Sequence, residues 1–316
     1  MDISIVIVSW HAKHYLELCL ESLAAAPPRH RTEIVVVDNA SSDGSAEMIE
    51  SRFPFVKLIR NSENLGFAKG NNVAIRQCHG RCIALVNPDV VVFPGCLDAL
   101  ADFLDQNPKV GNVGPRVLNP DMTQQCTCRR FPTLWNNFCS ATGLATAFKK
   151  SQFFAGEQMF YFPHDRTLPV DVLKGCFSMI RRETFNEVGL LDENLFMYGD
   201  DVDWCRRCWN TGWQVVFFPG AKAIHYRGKC TAPYPVRFAV AQQRSVLYYW
   251  RKHQGVWGVM GIRSIMLFHH LVRYAYAVVA GLARGKRSAK DDVRKQVSGA
   301  CLRALVSDSV PRSVPH

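Results

Sequence analysis

Tyr198-Gly-Asp200-Asp201-Val-Asp203-Trp sets three carboxylates within four residues. Charges this close repel, which costs stability unless a cation or a proton offsets them. At a helix start the peptide dipole helps to hold them ionised, and a carboxylate poised there can take a proton from an attacking hydroxyl. An acidic first turn that merely suits the dipole has the same spelling. Asp38 closes the run Glu33-Ile-Val-Val-Val37 and opens an Asn/Ser/Gly loop. From there a carboxylate can accept the imide N–H of a uracil or thymine base, or simply cap the following helix. Asp89, in Val86-Asn-Pro-Asp-Val90, ends another apolar run. One carboxylate with phosphate oxygens and water can hold a divalent ion on a diphosphate, although Asn-Pro-Asp is also a turn former. Asn61 to Asn72 is rich in Gly and Asn and runs into a helix. Its backbone N–H groups suit phosphate or ribose; as a turn it needs no ligand. His225 follows a buried run and is open to a metal or to a structural hydrogen bond.

These groups need elements to hold them. Ile3-Ser-Ile-Val-Ile-Val8, Glu33 to Val37, Val56 to Arg60 and Cys82 to Val86 read as buried strands. Helical patterns fall between them: 13–25, stopped by Pro27-Pro28, then a helix up to Ser51, 67–78 and 95–106. Alternating strands and helices imply right-handed crossovers and a mostly parallel sheet flanked by helices. Such sheets bind ligands beyond the C-terminal ends of their strands, where Asp38 and Asp89 both fall. From Leu118 to about Pro169 no periodicity is sustained, and the stretch reads as a variable loop region over the site. Regular structure resumes near Val170, with a strand into Gly175-Cys-Phe-Ser-Met-Ile180, helices at 182–188 and 201–210, and a strand at 213–218.

The chain has 316 residues, 48% of them hydrophobic and 21% charged, a composition that rules out wholesale disorder. Its formal net charge of +11 asks for an anionic partner: nucleic acid, a phosphorylated small molecule or an acidic membrane surface. The N-terminus has no basic segment before its apolar run and reads as a strand, not a signal peptide. A reducing compartment and free thiols follow. Cys126-Thr-Cys128 and Cys205-Arg-Arg-Cys208 lack the second pair that a zinc site needs, and read as small buried hydrophobes. Ser264 to Ala283 is apolar but interrupted by His269, His270 and Arg273. It suits an amphipathic helix on an anionic membrane better than a clean span, and a helix packed on the core is the plain alternative. Beyond Arg284 the chain reads as a basic, mobile tail.

Taken in order, Ser4-Ile-Val-Ile-Val-Ser-Trp10, Val36-Val-Asp38-Asn-Ala-Ser-Ser-Asp43-Gly44, Asn64-Leu-Gly-Phe-Ala-Lys-Gly-Asn-Asn72, Asn87-Pro-Asp89, Gly175-Cys-Phe, Phe196-Met-Tyr-Gly-Asp-Asp-Val-Asp203, Gly212-Trp213 and His225-Tyr-Arg-Gly-Lys229 resemble the family 2 glycosyltransferases of the GT-A fold, and among them the rhamnosyltransferase-like branch. The resemblance spans residues 3–231. It implies a Rossmann-like catalytic domain over 1–231, with a nucleotide-sugar half at 1–117 and an acceptor half at 118–231. A helical, membrane-associating extension at 232–283 and the tail at 284–316 would follow. It implies that Ser9, Asp38, Asn39, Asn64, Gly66, Lys69, Asn71 and Asn87 bind the nucleotide sugar, with Asp38 on the pyrimidine. Asp89 and His225 would hold Mg2+ or Mn2+, and Asp201, with Asp200 beside it, would carry out an inverting single displacement. The donor suggested by the branch is dTDP-rhamnose, with UDP-hexoses and UDP-galactofuranose open. The acceptor would be a saccharide or lipid-linked saccharide in cell-surface polysaccharide synthesis, and the enzyme would sit on the inner face of the cell membrane. Two positions depart from the family pattern: Asp200 stands where Glu is usual, and Cys230 where Ser is usual.

Three other readings remain open at this point. A nucleic-acid-binding protein would suit the charge, but no nucleic-acid-binding pattern is present. A silent transferase-like scaffold would not need Asp38, Asp89, Asp201 and His225 together. A nucleotidyltransferase could use the same sheet and metal.

Overall fold

The computed structural model describes residues 1–228, 234–283 and 288–307. Cys230 and the stretches 284–287 and 308–316 lie outside the described residues. Four parallel strands start the sheet: β1 (Ile3–Ser9), β2 (Thr32–Asp38), β3 (Lys57–Arg60) and β4 (Cys82–Val86). Helices α1 (Lys13–Ala25), α2 (Ser45–Arg52) and α3 (Gly66–Ile75) connect them. Then come β5 (Val90–Val92), α4 (Cys96–Gln106), β6 (Val110–Leu118), β7 (Cys128–Arg129), α5 (Leu134–Thr142), α6 (Leu144–Ala147), β8 (Leu168–Pro169), β9 (Val172–Leu173), β10 (Phe177–Arg181), α7 (Arg182–Val188), α8 (Asp200–Asn210) and β11 (Gln214–His225). The main sheet runs β3-β2-β1-β4-β10-β6-β11-β5, with β8 on β11, and β7 pairs β9 in a small separate ribbon. β10 is antiparallel to β4 and β6, whereas β6 and β11 are parallel.

All seven residues of β1 are buried, and the period-two pleat divides them between two cores. Ile3, Ile5 and Ile7 pack with Leu16 and Leu20 of α1 and Leu100 and Leu104 of α4. Val6 and Val8 face the other way, toward Ala68 and Ile75 of α3 and Trp204 of α8. Each fully buried Ile or Leu stabilises the fold by about 2 kcal/mol. Helices therefore cover both faces, which is why these strands read as unbroken apolar runs. Cys205 and Cys208 lie buried on α8, Cys128 is buried in β7, and Cys126 is half-buried.

Two expectations are corrected. Residues 118–169 are not wholly irregular: α5 and α6 form there, with the Thr133 side chain capping α5 by accepting the Asn136 N–H. The 284–316 stretch is not all mobile tail, because α10 (Ala289–Ser307) is helical. It lies along α9, a helix over Pro235–Ala283 that breaks at Gly255 (φ 66°, ψ −159°). Buried Cys301 and Leu305 anchor α10, and the Gln243 amide donates to the Cys301 carbonyl. Neither contact has a periodic signal strong enough to read from the tail alone. By length and composition, Pro235–Ala280 is apolar enough to cross a membrane; 17% of its most apolar window is buried.

Candidate active site

The carboxyl ends of β2, β1 and β4 lie side by side. Ser9 pairs with Asp38 in register, and Ile7 pairs with both Val36 and Val86. Three side chains on this edge each keep a buried polar atom without a partner: Ser9 Oγ, Asp38 Oδ1 and Asn87 Oδ1. Orphaned buried polar atoms are rare, and a row of them marks a place where a ligand supplies the missing bonds. Asp38 is 3% exposed. Its Oδ2 accepts the Ser41 N–H at 3.0 Å, which leaves Oδ1 to face a ligand. The α2 start is served by Asp43, which accepts from the Ser45 N–H, so helix capping does not account for Asp38.

The Gly/Asn loop behaves differently from its sequence reading. Asn39 donates to Asn64 Oδ1 and to the Gly66 carbonyl, and accepts from Asn61. The Gly66 N–H goes to Asn64 Oδ1, the Phe67 N–H to the Phe196 carbonyl, and the Asn71 amide to the Phe67 carbonyl. Asn39, Asn64, Gly66 and Asn71 therefore all take part in bonds that build the loop. Gly66 has φ +79°, and a Cβ there would sit 2.3 Å from the Phe196 oxygen. The glycine is needed for that close approach. Lys69 is half-buried beside this loop.

Asp89 and His225 meet because β5 runs antiparallel to the end of β11, with Val90 opposite His225. His225 Nε2 lies 3.2 Å from Asp89 Oδ1, and the two residues are 7% and 5% exposed. The other ring nitrogen, Nδ1, is 2.7 Å from Gln125 Oε1. The Gln125 amide nitrogen donates to the His225 carbonyl, an acceptor only, at 3.2 Å. That bond fixes the amide orientation, so His225 Nδ1 must be the donor toward Gln125. Nε2 then confronts a carboxylate, and a cation has to lie between them: either a proton or a metal ion. Burial opposes charge on the ring, but the Cys176 sulfur and Asp89 outweigh it and raise His225 to about 10. An oxygen and a nitrogen roughly 3 Å apart can be neighbouring ligands of one divalent ion. The pair therefore fits Mg2+ or Mn2+. Among the described residues no group of three or more His, Cys, Asp or Glu side chains gathers around a metal position, so diphosphate oxygens and water would have to complete the shell.

The third part of the site sits next to this pair. The Asn87 N–H donates to the Cys176 carbonyl, and the Gly175 N–H donates to Asp201 Oδ2 at 3.1 Å. Gly175-Cys176 thus links the strand edge, the Asp89–His225 pair and the start of α8. Tyr198 (φ 67°) and Gly199 (φ 80°) are both left-handed, and they turn the chain sharply into α8; strain of this kind is concentrated at functional sites. The three acids then take different tasks. Asp203 is 0% exposed and accepts from Arg207, Lys252 and His253. Despite burial, these partners pull it down to about 2; it ties α8 to α9. Asp200 is also buried, and burial first, then the charge of Asp201, push its carboxyl above the usual Asp range. Asp201 is half-buried, and its oxygens accept from Gly175 and Val202.

Gln125 and Lys174 did not stand out in the sequence, and Cys176 was given no role beyond its place in the Gly175-Cys-Phe motif. Lys174 lies just before Gly175, and burial, then Arg129 and Arg227, bring its ammonium down to about 8. The Lys174 ammonium donates to the Cys126 carbonyl. Only contacts across the fold mark the three, since Gln125 is 100 residues from His225.

Residues 4–189 match the profile of Glycosyl transferase family 2. The chain belongs to that family. It is a nucleotide-sugar glycosyltransferase, and it is rhamnosyltransferase-like in its curated relatives. The N-acetylglucosaminyl-diphospho-decaprenol L-rhamnosyltransferase of Mycobacterium tuberculosis is 28% identical over 298 residues, covering 85% of this chain and 94% of the relative. Rhamnosyltransferase WbbL of Escherichia coli is 25% identical over 235 residues, 70% of this chain and 82% of the relative. The mannosyltransferase PcManGT of Pyrobaculum calidifontis, solved with GDP-Man and Mn2+, superposes with a TM-score of 0.56 at 15% identity, covering 96% of this chain and 86% of that one. At that identity the likeness concerns the fold, and it agrees with the GT-A sheet expected for this glycosyltransferase.

Proposed function

We propose that this glycosyltransferase is a metal-dependent, inverting enzyme. It moves rhamnose from dTDP-rhamnose to a hydroxyl of a saccharide or lipid-linked saccharide, at the inner face of the cell membrane. The observation that carries the reading is the row of orphaned acceptors on Ser9, Asp38 and Asn87 running up to the Asp89–His225 pair. Asp38 Oδ1 accepts the imide N–H of the pyrimidine; Ser9, Asn87 and Lys69 line the rest of the donor's course. Asp89 and His225 hold the divalent ion, which supplies charge neutralisation to the departing diphosphate.

Asp201 takes the proton of the acceptor hydroxyl as that oxygen attacks the anomeric carbon opposite the diphosphate. The carbon–phosphate-oxygen bond breaks, the configuration inverts and the nucleoside diphosphate leaves. Burial raises the Asp200 carboxyl above the usual Asp range, which favours its protonated form. The rhamnose and lipid-linked acceptor choices draw on the activities of the mycobacterial and Escherichia coli relatives.

The deciding experiment titrates the full chain with dTDP, UDP and GDP by calorimetry, with and without Mn2+, for wild type and Asp89→Ala. The expected result is Mn2+-dependent binding of dTDP, weakened at least about tenfold in the variant. A folded wild type that binds no nucleotide would overturn the reading.

A further inference from the structure

Most of the exposed large hydrophobic side chains among the described residues come from two stretches: α5 with the loop after it, and α9 beyond its break at Gly255. The first carries exposed Trp135, Phe148 and Phe153; in the second, Trp257 is 81% exposed. The stretches are distant in sequence but packed together. His269 Nδ1 meets the Ala141 carbonyl at 3.1 Å, and a Cβ on Gly261 would strike Leu134 at 2.7 Å. The first is also held in shape by its own rings. Trp135 donates to the Phe153 carbonyl, and the two rings lie 4.9 Å apart.

Charge says what such a face meets. Residues 131–156 and 235–283 contain no Asp or Glu, yet the first has Lys149 and Lys150 and the second has Arg251, Lys252, Arg263 and Arg273 among its cations. Lys149 and Lys150 are exposed and lie between Phe148 and Phe153. A water-facing surface does not normally leave so large an apolar patch uncovered. Exposed aromatic and apolar side chains beside the exposed Lys149 and Lys150 are the composition of a surface that enters the headgroup layer of an anionic bilayer.

We infer that the loop following α5, residues 143–154, is a second membrane-docking element that works with α9 to seat the enzyme on an anionic bilayer. This rests on the peripheral location proposed above and extends it to a part of the chain outside the C-terminal extension. A cavity of about 1040 Å³ lies between the two stretches, lined by Trp135 and Phe153 from one, Trp257 from the other, and Arg130 and Arg206.

The test is sedimentation of the full chain with vesicles of equal phosphatidylglycerol and phosphatidylcholine, and with phosphatidylcholine alone. The proteins are wild type, a charge variant Lys149→Glu/Lys150→Glu, and a variant that adds Phe148→Ser and Phe153→Ser. All four side chains are exposed, and thermal unfolding checks that the fold is kept. Wild type is expected on the anionic vesicles, with partitioning lowered at least about tenfold in the charge variant and further in the fourfold one. If folded variants partition as wild type does, the loop has no docking role and α9 suffices. If wild type itself stays off anionic vesicles, the peripheral location fails and this inference fails with it.

Discussion

At the scale of single residues, the geometry of the Asp89–His225 pair depends on Gln125. Gln125 sets the His225 tautomer because its amide nitrogen is committed to the His225 carbonyl. Replacing it by Leu removes the acceptor for Nδ1–H, so the ring can turn or switch tautomers and Nε2 no longer meets Asp89 reliably. Gln125→Leu is expected to weaken Mn2+ binding in the presence of nucleotide by about 10- to 100-fold. Metal-free thermal stability should fall as well, because the Gln125 side chain's hydrogen bonds to Asn119 and to the His225 ring and carbonyl are all lost, at about 1 kcal/mol each. Calorimetric Mn2+ titration reads the effect, and unaltered affinity would show that Asp89 places the histidine unaided. Asp200 illustrates a second residue-scale point. Its position next to Asp201 is plain in the sequence, but its burial is not, and burial is what divides the pair.

At the scale of elements, α8 is the part on which the site turns. Its N-terminus carries Asp201 toward Gly175, and its angle is held by Asp203 through Lys252 and His253 of α9 and Arg207 of its own next turn. Because the folded Asp203 carboxyl is held near 2 and an unfolded Asp titrates at about 3.9, its stabilisation is fully present above about pH 4. It is lost as pH falls from there to about 2, and amounts to roughly 2 kcal/mol. Asp203→Asn is expected to lower stability at pH 7 by about 3 kcal/mol, since buried partners lose their counter-charge, and to flatten the acid limb. Denaturant unfolding at pH 7 and across pH 2 to 4 measures both. An unchanged acid limb would place the pH-sensitive carboxylate elsewhere. The Gly/Asn loop belongs to this scale too: Gly66 permits α3 to approach the 195–199 turn that leads into α8.

At the scale of the whole molecule, the C-terminal helices brace the catalytic half. α10 packs along α9, α9 reaches Asp203 and also Met197 through Ser245, and both contacts bear on the turn that presents Asp201. Ending the chain after Ala283 removes the cover of Leu247 and Trp250, which share a cluster with Leu305. The loss is about 3 kcal/mol at roughly 1.5–3 kcal/mol per large buried apolar side chain, seen as a fall in Tm of roughly 5 to 10 °C. Nucleotide affinity should stay within about twofold, because β1, β2 and β4 form that part of the site without α10, while kcat should fall. A truncated protein with full kcat would show that α9 holds the turn without α10.

The sequence by itself determined the parallel half of the sheet and which carboxylates end up at its edge. Unbroken β-branched runs ending in Asp38 and Asn87-Pro-Asp89 leave a strand-plus-crossover solution with those groups at the C-terminal ends, since period and burial are local properties of each segment. It also identified the acidic start of α8. Only the tertiary structure decided how that cluster divides its labour, because Asp200, Asp201 and Asp203 differ in burial and partners and not in type. Only the tertiary structure showed that the Asn/Gly loop bonds to itself, that Gln125 and Cys176 adjoin the Asp89–His225 pair, and that Ala289–Ser307 forms a helix along α9. Each of these rests on contacts between residues far apart in the chain, and a local pattern carries no record of what a folded chain brings together.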